Sequence, residues 1–175
     1  MFFKLFNFFV DLCLLRKAPQ DLPASQSLFS LILVLSVLTG AAGVSDVIPG
    51  LSALAASALD AVIALVLLRL ALTLKGYPNR FQQTATAIFG IGIILGLLAM
   101  PMQLGISEET MQGEMGGVIA LAYLVLLGWV QVVIGHILRH ALSVSLPLGI
   151  GLALTYSVIS GTVIQMLFLQ TPTPA

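Results

Sequence analysis

Five long apolar runs constrain the fold of this chain more than any other feature of its sequence. A helix needs about 20 apolar residues to cross the hydrocarbon core of a bilayer. Charged residues make up only 8% of the chain and hydrophobic residues 59%, whereas an ordinary soluble domain is about 25% charged. The sequence therefore predicts an all-α fold, a bundle of five transmembrane helices at residues 28–44, 51–74, 84–104, 118–138 and 144–169.

Short segments rich in turn residues separate the five runs. In chain order they read "SDVIPG", "KGYPNR", "SEETMQGEMGG" and "RHALSVS". Either Ser25 or Ser27 can cap the start of the first span, and Pro101 lies close to the end of the third. Because none of these segments is long enough to fold separately, the sequence predicts a single membrane domain over residues 1–175.

The basic residues sort to one side of the predicted membrane. All 7 lysines and arginines lie before the first span, around the junction of the second and third, or at the junction of the fourth and fifth. Since basic residues beside transmembrane helices stay in the cytoplasm, the N-terminus is predicted to be cytoplasmic and the C-terminus external. A cleaved signal peptide is the alternative, but the segment before Leu28 is longer than a usual basic leader. The external side carries Asp46, Glu108, Glu109 and Glu114.

The N-terminal segment "MFFKLFNFFVDLCLLRK" predicts an amphipathic helix in the cytoplasmic interface, followed by a linker, over residues 1–23. Lys4, Asn7 and Asp11 share one helical face, and phenylalanines and leucines cover the rest, as in helices that lie on a membrane surface. This apolar face is a candidate interaction surface for a partner helix, or it packs on the chain's own bundle. The candidate residues are Phe2, Phe6 and Phe9.

Asp60 is a carboxyl group inside the apolar run "SALAASALDAVIALVLLRLALTLKG". Its neighbours at helical spacing include the small residues Ala53, Ala56, Ser57 and Ala64, and small residues let helices approach each other closely. Asp60 is therefore predicted to face the other helices rather than lipid. Side chains that fall at a similar depth or slightly nearer the cytoplasm are Ser36, Gln131, Tyr156, Ser157 and Ser160.

Two interpretations of Asp60 stay open at this point. A protonated carboxyl group that hydrogen-bonds to a neighbouring hydroxyl is an ordinary way to hold membrane helices together. Ionisable residues within membrane spans also mark ion pathways and proton relays. Both interpretations predict the same intramembrane polar site, formed by Asp60, Gln131, Ser157 and Ser160.

Glycines recur in the last three spans, where they favour close helix packing. Gly92 and Gly96 form a GxxxG pattern, which predicts a close contact inside the chain and, less specifically, a contact between two copies. Gly128, Gln131 and Gly135 share one face of the fourth span.

No arrangement typical of catalysis or of cofactor binding is found in the sequence. His136 and His140 have the spacing of two ligands on one helix face, but a metal site needs further ligands and none is nearby in the sequence. The single cysteine, Cys13, is predicted to be a small apolar packing residue, with reversible acylation as the alternative. We expect no enzyme activity, metal site or cofactor, and no nucleic-acid partner, because a basic footprint is missing.

Two stretches resemble the Yip1-like five-span membrane proteins. One is "RKAPQDLPASQSLFSLIL", which leads into the first span. The other is "GYPNRFQQTATAIFGIGIILGLLAMP", in which a short basic and aromatic loop enters a glycine-containing third helix that ends near proline. The resemblance implies an integral inner-membrane protein of the bacterial type. Eukaryotic members are linked to vesicle trafficking and bind prenylated small GTPases through a longer N-terminal region, whereas this chain lacks the family's "DLYGP" motif.

Two functions follow as hypotheses. The first is a non-enzymatic scaffold, assembly or interaction subunit of the inner membrane, with the lipid bilayer and a membrane-protein partner or a second copy as its partners. The alternative is a small transporter or proton-coupled channel centred on Asp60.

Overall fold

The computed structural model describes residues 2–106 and 114–169, and the regular secondary structure of these residues is helical throughout. Glu108 and Glu109, which the charge pattern places on the external side, lie outside the described residues, as do residues 170–175. The helices are α1 Phe2–Cys13, α2 Gln26–Val44, α3 Leu51–Leu74, α4 Phe81–Leu104, α5 Glu114–Leu142 and α6 Leu146–Phe168.

Helices α2 to α6 are each long and apolar enough to cross a membrane, which confirms the predicted bundle of five spans. The boundaries lie close to the predicted ones, and α5 is longer than predicted at both ends. Helix α4 begins at Phe81 and continues through Pro101 to its end. Ser25 caps α2, because its side chain accepts a hydrogen bond from the backbone N–H of Leu28 at 3.4 Å.

Contacts near Arg80 show how the spans alternate in direction. The Arg80 guanidinium donates to the backbone oxygens of His140 at 3.2 Å and Ala141 at 3.0 Å, and the Gln82 amide donates to the Gln26 side chain at 3.0 Å. The starts of α2 and α4 and the end of α5 therefore lie together, at what we name the Arg80 end of the bundle. We name the opposite end, where α2 and α4 finish, the Val44 end.

Two glycines bring the backbones of α5 and α6 into contact. A β-carbon added to Gly135 would lie 2.8 Å from the backbone nitrogen of Ile150, and one added to Gly149 would collide with the Gly135 carbonyl oxygen. Helix association in lipid depends on van der Waals packing of this kind, because lipid tails are as apolar as the side chains they would replace.

Helices α2 and α4 pack through the GxxxG pattern. A β-carbon at Gly92 would lie 3.7 Å from the Ser36 hydroxyl, and one at Gly96 would lie 3.4 Å from the Thr39 methyl group. The pattern therefore makes a contact inside the chain, as predicted.

Helix α1 packs on the chain's own bundle. The ring of Phe9 lies directly against Gly90 of α4, and Leu12 is completely buried. The Trp129 indole of α5 donates to the backbone oxygen of Cys13 at 3.1 Å. These contacts are those of the second alternative for the segment, a helix held by its own protein. The placement of α1 in a membrane interface stays a prediction.

Burial also determines the chemistry of Cys13. The side chain is buried, and burial raises the pKa of its thiol from 9.0 to about 11. The reactive form of cysteine is the thiolate, which is therefore scarce at neutral pH. This environment fits the predicted packing role better than acylation.

The contact between α5 and α6 predicts opposite effects for two substitutions in one helix. Gly149→Ala forces a methyl group against a backbone, and overpacking of this kind costs about 1–3 kcal/mol of unfolding free energy. Gly151→Ala is the matched control, because a β-carbon there meets nothing within 4 Å, and it gains helix propensity of up to about 1 kcal/mol. Unfolding of both variants in detergent micelles measures the difference. Equal stability of the two variants would contradict this packing.

Candidate functional site

Asp60 lies inside the bundle and is held by two hydroxyl groups of α6. It is nine residues beyond Leu51, which places it about 14 Å along α3 at 1.5 Å per residue. The Tyr156 hydroxyl donates to its Oδ1 at 2.7 Å, and the Ser160 hydroxyl donates to the same oxygen. The prediction that Asp60 faces other helices rather than lipid is confirmed.

Small residues of α3 make this contact with α6 possible. Ala53 and Ala56 are 3% and 2% exposed, and they share an apolar cluster with Ile164 and Phe168 of α6. Because alanine side chains are short, the two helices approach closely enough for hydroxyl groups on one to reach a carboxyl group on the other.

A cavity of about 300 Å³ lies beside Asp60, between residues of all five spans. It is partly polar, and none of its described lining residues is a lysine or an arginine. The carboxyl group of Asp60 is the one acidic group in the described lining. The polar residues that line the cavity are Ser36, Thr39, Ser57, Asp60, Gln103 and Tyr156.

The cavity reaches one end of the bundle and is bounded by apolar side chains on the other side. Its lining extends to Val44 and Gln103, which lie at or beside the ends of α2 and α4. Toward the Arg80 end its lining consists of the apolar residues Ala64, Ile88 and Ile134. The polar residues of the lining therefore lie at the level of Asp60 or toward the Val44 end.

Hydrogen bonds orient the polar groups around the cavity. The Gln103 amide nitrogen donates to the Tyr123 hydroxyl at 2.7 Å, while its carbonyl oxygen lies 3.9 Å from the position of a β-carbon on Gly43. The Ser57 hydroxyl donates to the Val37 backbone oxygen at 2.9 Å. These two side chains therefore donate to protein acceptors and keep oxygen lone pairs, the kind of group that hard cations prefer.

The four residues predicted for the polar site form two separate groups. Ser160 binds Asp60, but Gln131 and Ser157 bind each other, with the Gln131 amide donating to the Ser157 hydroxyl at 3.1 Å. Tyr156, which the sequence places at a depth similar to that of Asp60, also donates a hydrogen bond directly to the carboxyl group. The spacing of four residues between Tyr156 and Ser160 puts them on one helix face, and this signal was available in the sequence.

The two histidines lie side by side at the Arg80 end. The ring centroids of His136 and His140 are 4.6 Å apart, and His136 Nε2 lies 3.0 Å from the Lys17 backbone oxygen. Within residues 2–106 and 114–169, no group of three or more histidine, cysteine, aspartate or glutamate side chains has the geometry to hold a metal ion.

The predicted interaction surface on α1 is divided by the packing of the helix. Phe9 is 4% exposed and belongs to the bundle, whereas Phe6 is 49% exposed. The side chain of Phe2 lies outside the described part of the chain.

No family model and no curated protein matches this chain, and no solved structure matches it. The resemblance to the Yip1-like proteins therefore stays a prediction. Evidence on function comes from the geometry around Asp60.

Proposed function

We propose that this chain is a non-catalytic membrane transport protein that takes up a proton or a small cation at Asp60. The observation that carries the proposal is the partly polar cavity between the spans, in which one carboxyl group lies near hydroxyl and amide groups. An integral membrane protein fits the five long apolar helices.

Electrostatics favours a role for Asp60 in binding a ligand over a purely structural role. A charged side chain in the membrane interior costs several kcal/mol unless it is paired, hydrated or neutralised. A carboxyl group that only joined two helices would need no cavity, since close packing would stabilise the bundle further. The cavity has polar groups around Asp60 and is large enough for water, so water that carries a proton or hydrates a small cation fits beside the carboxyl group.

The apolar boundary toward the Arg80 end favours a transporter over an open channel. Hydrophobic constrictions in membrane proteins act as gates because they exclude water. Passage beyond Asp60 requires the wall formed by Ala64, Ile88 and Ile134 to open, so each transport cycle includes a movement of the helices that carry these residues.

The proposed location is the inner membrane of a bacterium, with the Arg80 end in the cytoplasm. Support comes from the sorting of lysines and arginines, which are retained on the cytoplasmic side of membranes. In this orientation the cavity opens to the exterior, so Asp60 receives its cation from outside the cell.

A second candidate function is that of an assembly subunit, which the exposure of Phe6 favours. An aromatic side chain that is 49% exposed on α1 resembles the aromatic anchors that dominate protein interfaces. This role does not exclude transport, because Phe6 and the cavity lie on different helices.

The transport proposal predicts that Asp60→Asn abolishes uptake without unfolding the protein. Asparagine keeps the size of the side chain and an oxygen for Tyr156 and Ser160, but it cannot bind a proton or neutralise a cation. We expect proton or sodium uptake into reconstituted vesicles to fall to about a tenth or less, as for ionisable residues on an ion pathway. Ser157→Ala is the control, because Ser157 bonds to Gln131 and does not line the cavity. Unchanged uptake in folded Asp60→Asn would exclude transport through this site.

The proposed orientation predicts the location of reporter domains fused along the chain. Fusions after Arg80 and Arg139 should be active only with a cytoplasmic reporter, because these positions belong to the basic side. Fusions after Glu109 and Ala175 should be active only with an external reporter. A single reversed result at any of these four positions would contradict the orientation.

The assembly candidate predicts different outcomes for two phenylalanines of one helix. Phe6→Ala should reduce recovery of a copurifying partner in mild detergent while thermal stability stays close to that of the wild type, because an exposed side chain is removed. Phe9→Ala should cost about 3–5 kcal/mol of unfolding free energy, since it empties a buried site. A monomeric wild-type protein that copurifies with no partner would count against the assembly role.

A further inference from the structure

Helices α3 and α6 separate toward the Arg80 end and leave an apolar crevice between them. They touch at Asp60 and Ser160, but beyond Ala64 a space of about 250 Å³ opens, floored by Ile88, Ile134 and Leu138 of α4 and α5. Several of the residues that line it are well exposed. They are Leu70 at 53%, Leu74 at 78%, Leu152 at 37% and Ile159 at 41%.

The two polar side chains in this lining turn their polar atoms away from the crevice. The Thr155 hydroxyl donates to the Gly151 backbone oxygen at 2.9 Å, and the Tyr156 hydroxyl donates to Asp60. The crevice therefore presents hydrocarbon surface throughout its described lining, which suits an apolar occupant and excludes a polar one.

The length of the crevice matches one leaflet of a membrane. Its lining on α3 runs from Ala64 to Leu74, which is about 15 Å along a helix axis at 1.5 Å per residue. One leaflet contributes half of a hydrocarbon core that is about 30 Å thick. A single acyl chain that enters beside Leu74 would reach the level of Tyr156.

Two basic residues directly follow lining residues of the crevice in the sequence, toward its Arg80 end. Lys75 follows Leu74, and Arg139 follows Leu138, and both basic side chains are exposed. Positive charge at this depth attracts the headgroups of anionic lipids. Positive charge next to the lining residues at the Arg80 end and the apolar interior together match the two parts of an anionic phospholipid.

We propose that the crevice between α3 and α6 binds one acyl chain of an anionic phospholipid, whose headgroup lies beside Lys75 and Arg139. The acyl chain packs against Tyr156 and covers the exposed leucines that line the crevice. The site does not depend on the transport proposal, because none of its contacts requires a cation at Asp60.

The experiment measures lipid retained by the purified full-length chain. The protein is transferred from nanodiscs of equal parts phosphatidylglycerol and phosphatidylcholine into mild detergent, and native mass spectrometry counts the bound lipids. We expect one retained phosphatidylglycerol per chain, preferred over phosphatidylcholine by about tenfold, given the attraction that each basic residue adds near a membrane surface. A folded wild-type protein that retains neither lipid would overturn the proposal.

Two matched variants in α6 locate the site. Thr155→Phe places a ring in the crevice and should reduce retention to about a tenth, which corresponds to the loss of one unit in log affinity. Thr162→Phe is the control, because Thr162 is exposed on the same helix but does not line the crevice. Equal retention by the two variants would show that the lipid binds elsewhere and would overturn the proposal.

Two further variants test the headgroup and separate this site from transport. The double variant Lys75→Gln and Arg139→Gln should retain a lipid but lose the preference for phosphatidylglycerol. A preference that persists would contradict the role of these two cations. Asp60→Asn should retain lipid like the wild type even where uptake is lost, so a failure of either proposal is visible without the other.

Discussion

Polar groups of this chain must find their hydrogen-bond partners inside the protein, because the hydrocarbon core of a membrane supplies none. The Asp60 carboxyl group accepts hydrogen bonds from two hydroxyl groups on α6, and the Gln131 amide donates to Ser157. The indole N–H of Trp129 donates to a backbone oxygen at the end of α1. Each of these bonds joins two different helices, so together they fix the register of α3 and α5 against α6 and of α1 against α5.

These bonds in turn depend on small residues that allow the helices to approach. Gly135 lies four residues from Gln131 on α5, and its backbone touches Gly149 of α6. The same crossing therefore carries the backbone contact and, one turn nearer the start of α5, the bond between the Gln131 and Ser157 side chains. A bulky residue at either glycine would separate the helices and leave two polar side chains without partners, which costs more than the lost packing alone.

Length, hydropathy and helical spacing were sufficient to predict the five spans and the direction of Asp60. Each span is a local feature, and the face that Asp60 shares with Ala53 and Ala56 follows from the helical repeat alone. The partner of Asp60 was harder to predict, because depth in a membrane is known from sequence only to about one turn of helix. Ser157 and Ser160 differ by less than a turn, and only the packed structure separates them.

The cavity and the position of α1 had no local signal. The cavity lies between residues of all five spans, among them Gly43 and Gly96, so it depends on how the helices cross. The burial of Phe9 depends on Gly90, which lies on a different helix far along the chain. An amphipathic pattern predicts an apolar face but does not identify the surface that covers it.

Tyr156 connects the two spaces inside the bundle. Its side chain lines both the polar cavity and the apolar crevice, and its hydroxyl donates to Asp60. A ring held in place from the crevice side keeps that hydrogen bond intact, and a ring that moves into the crevice removes it. If Asp60 binds a cation as proposed, an occupant of the crevice that restrains the ring would therefore change the affinity of the carboxyl group for that cation. By thermodynamic linkage, the cation would then change the affinity of the crevice for its occupant by the same factor.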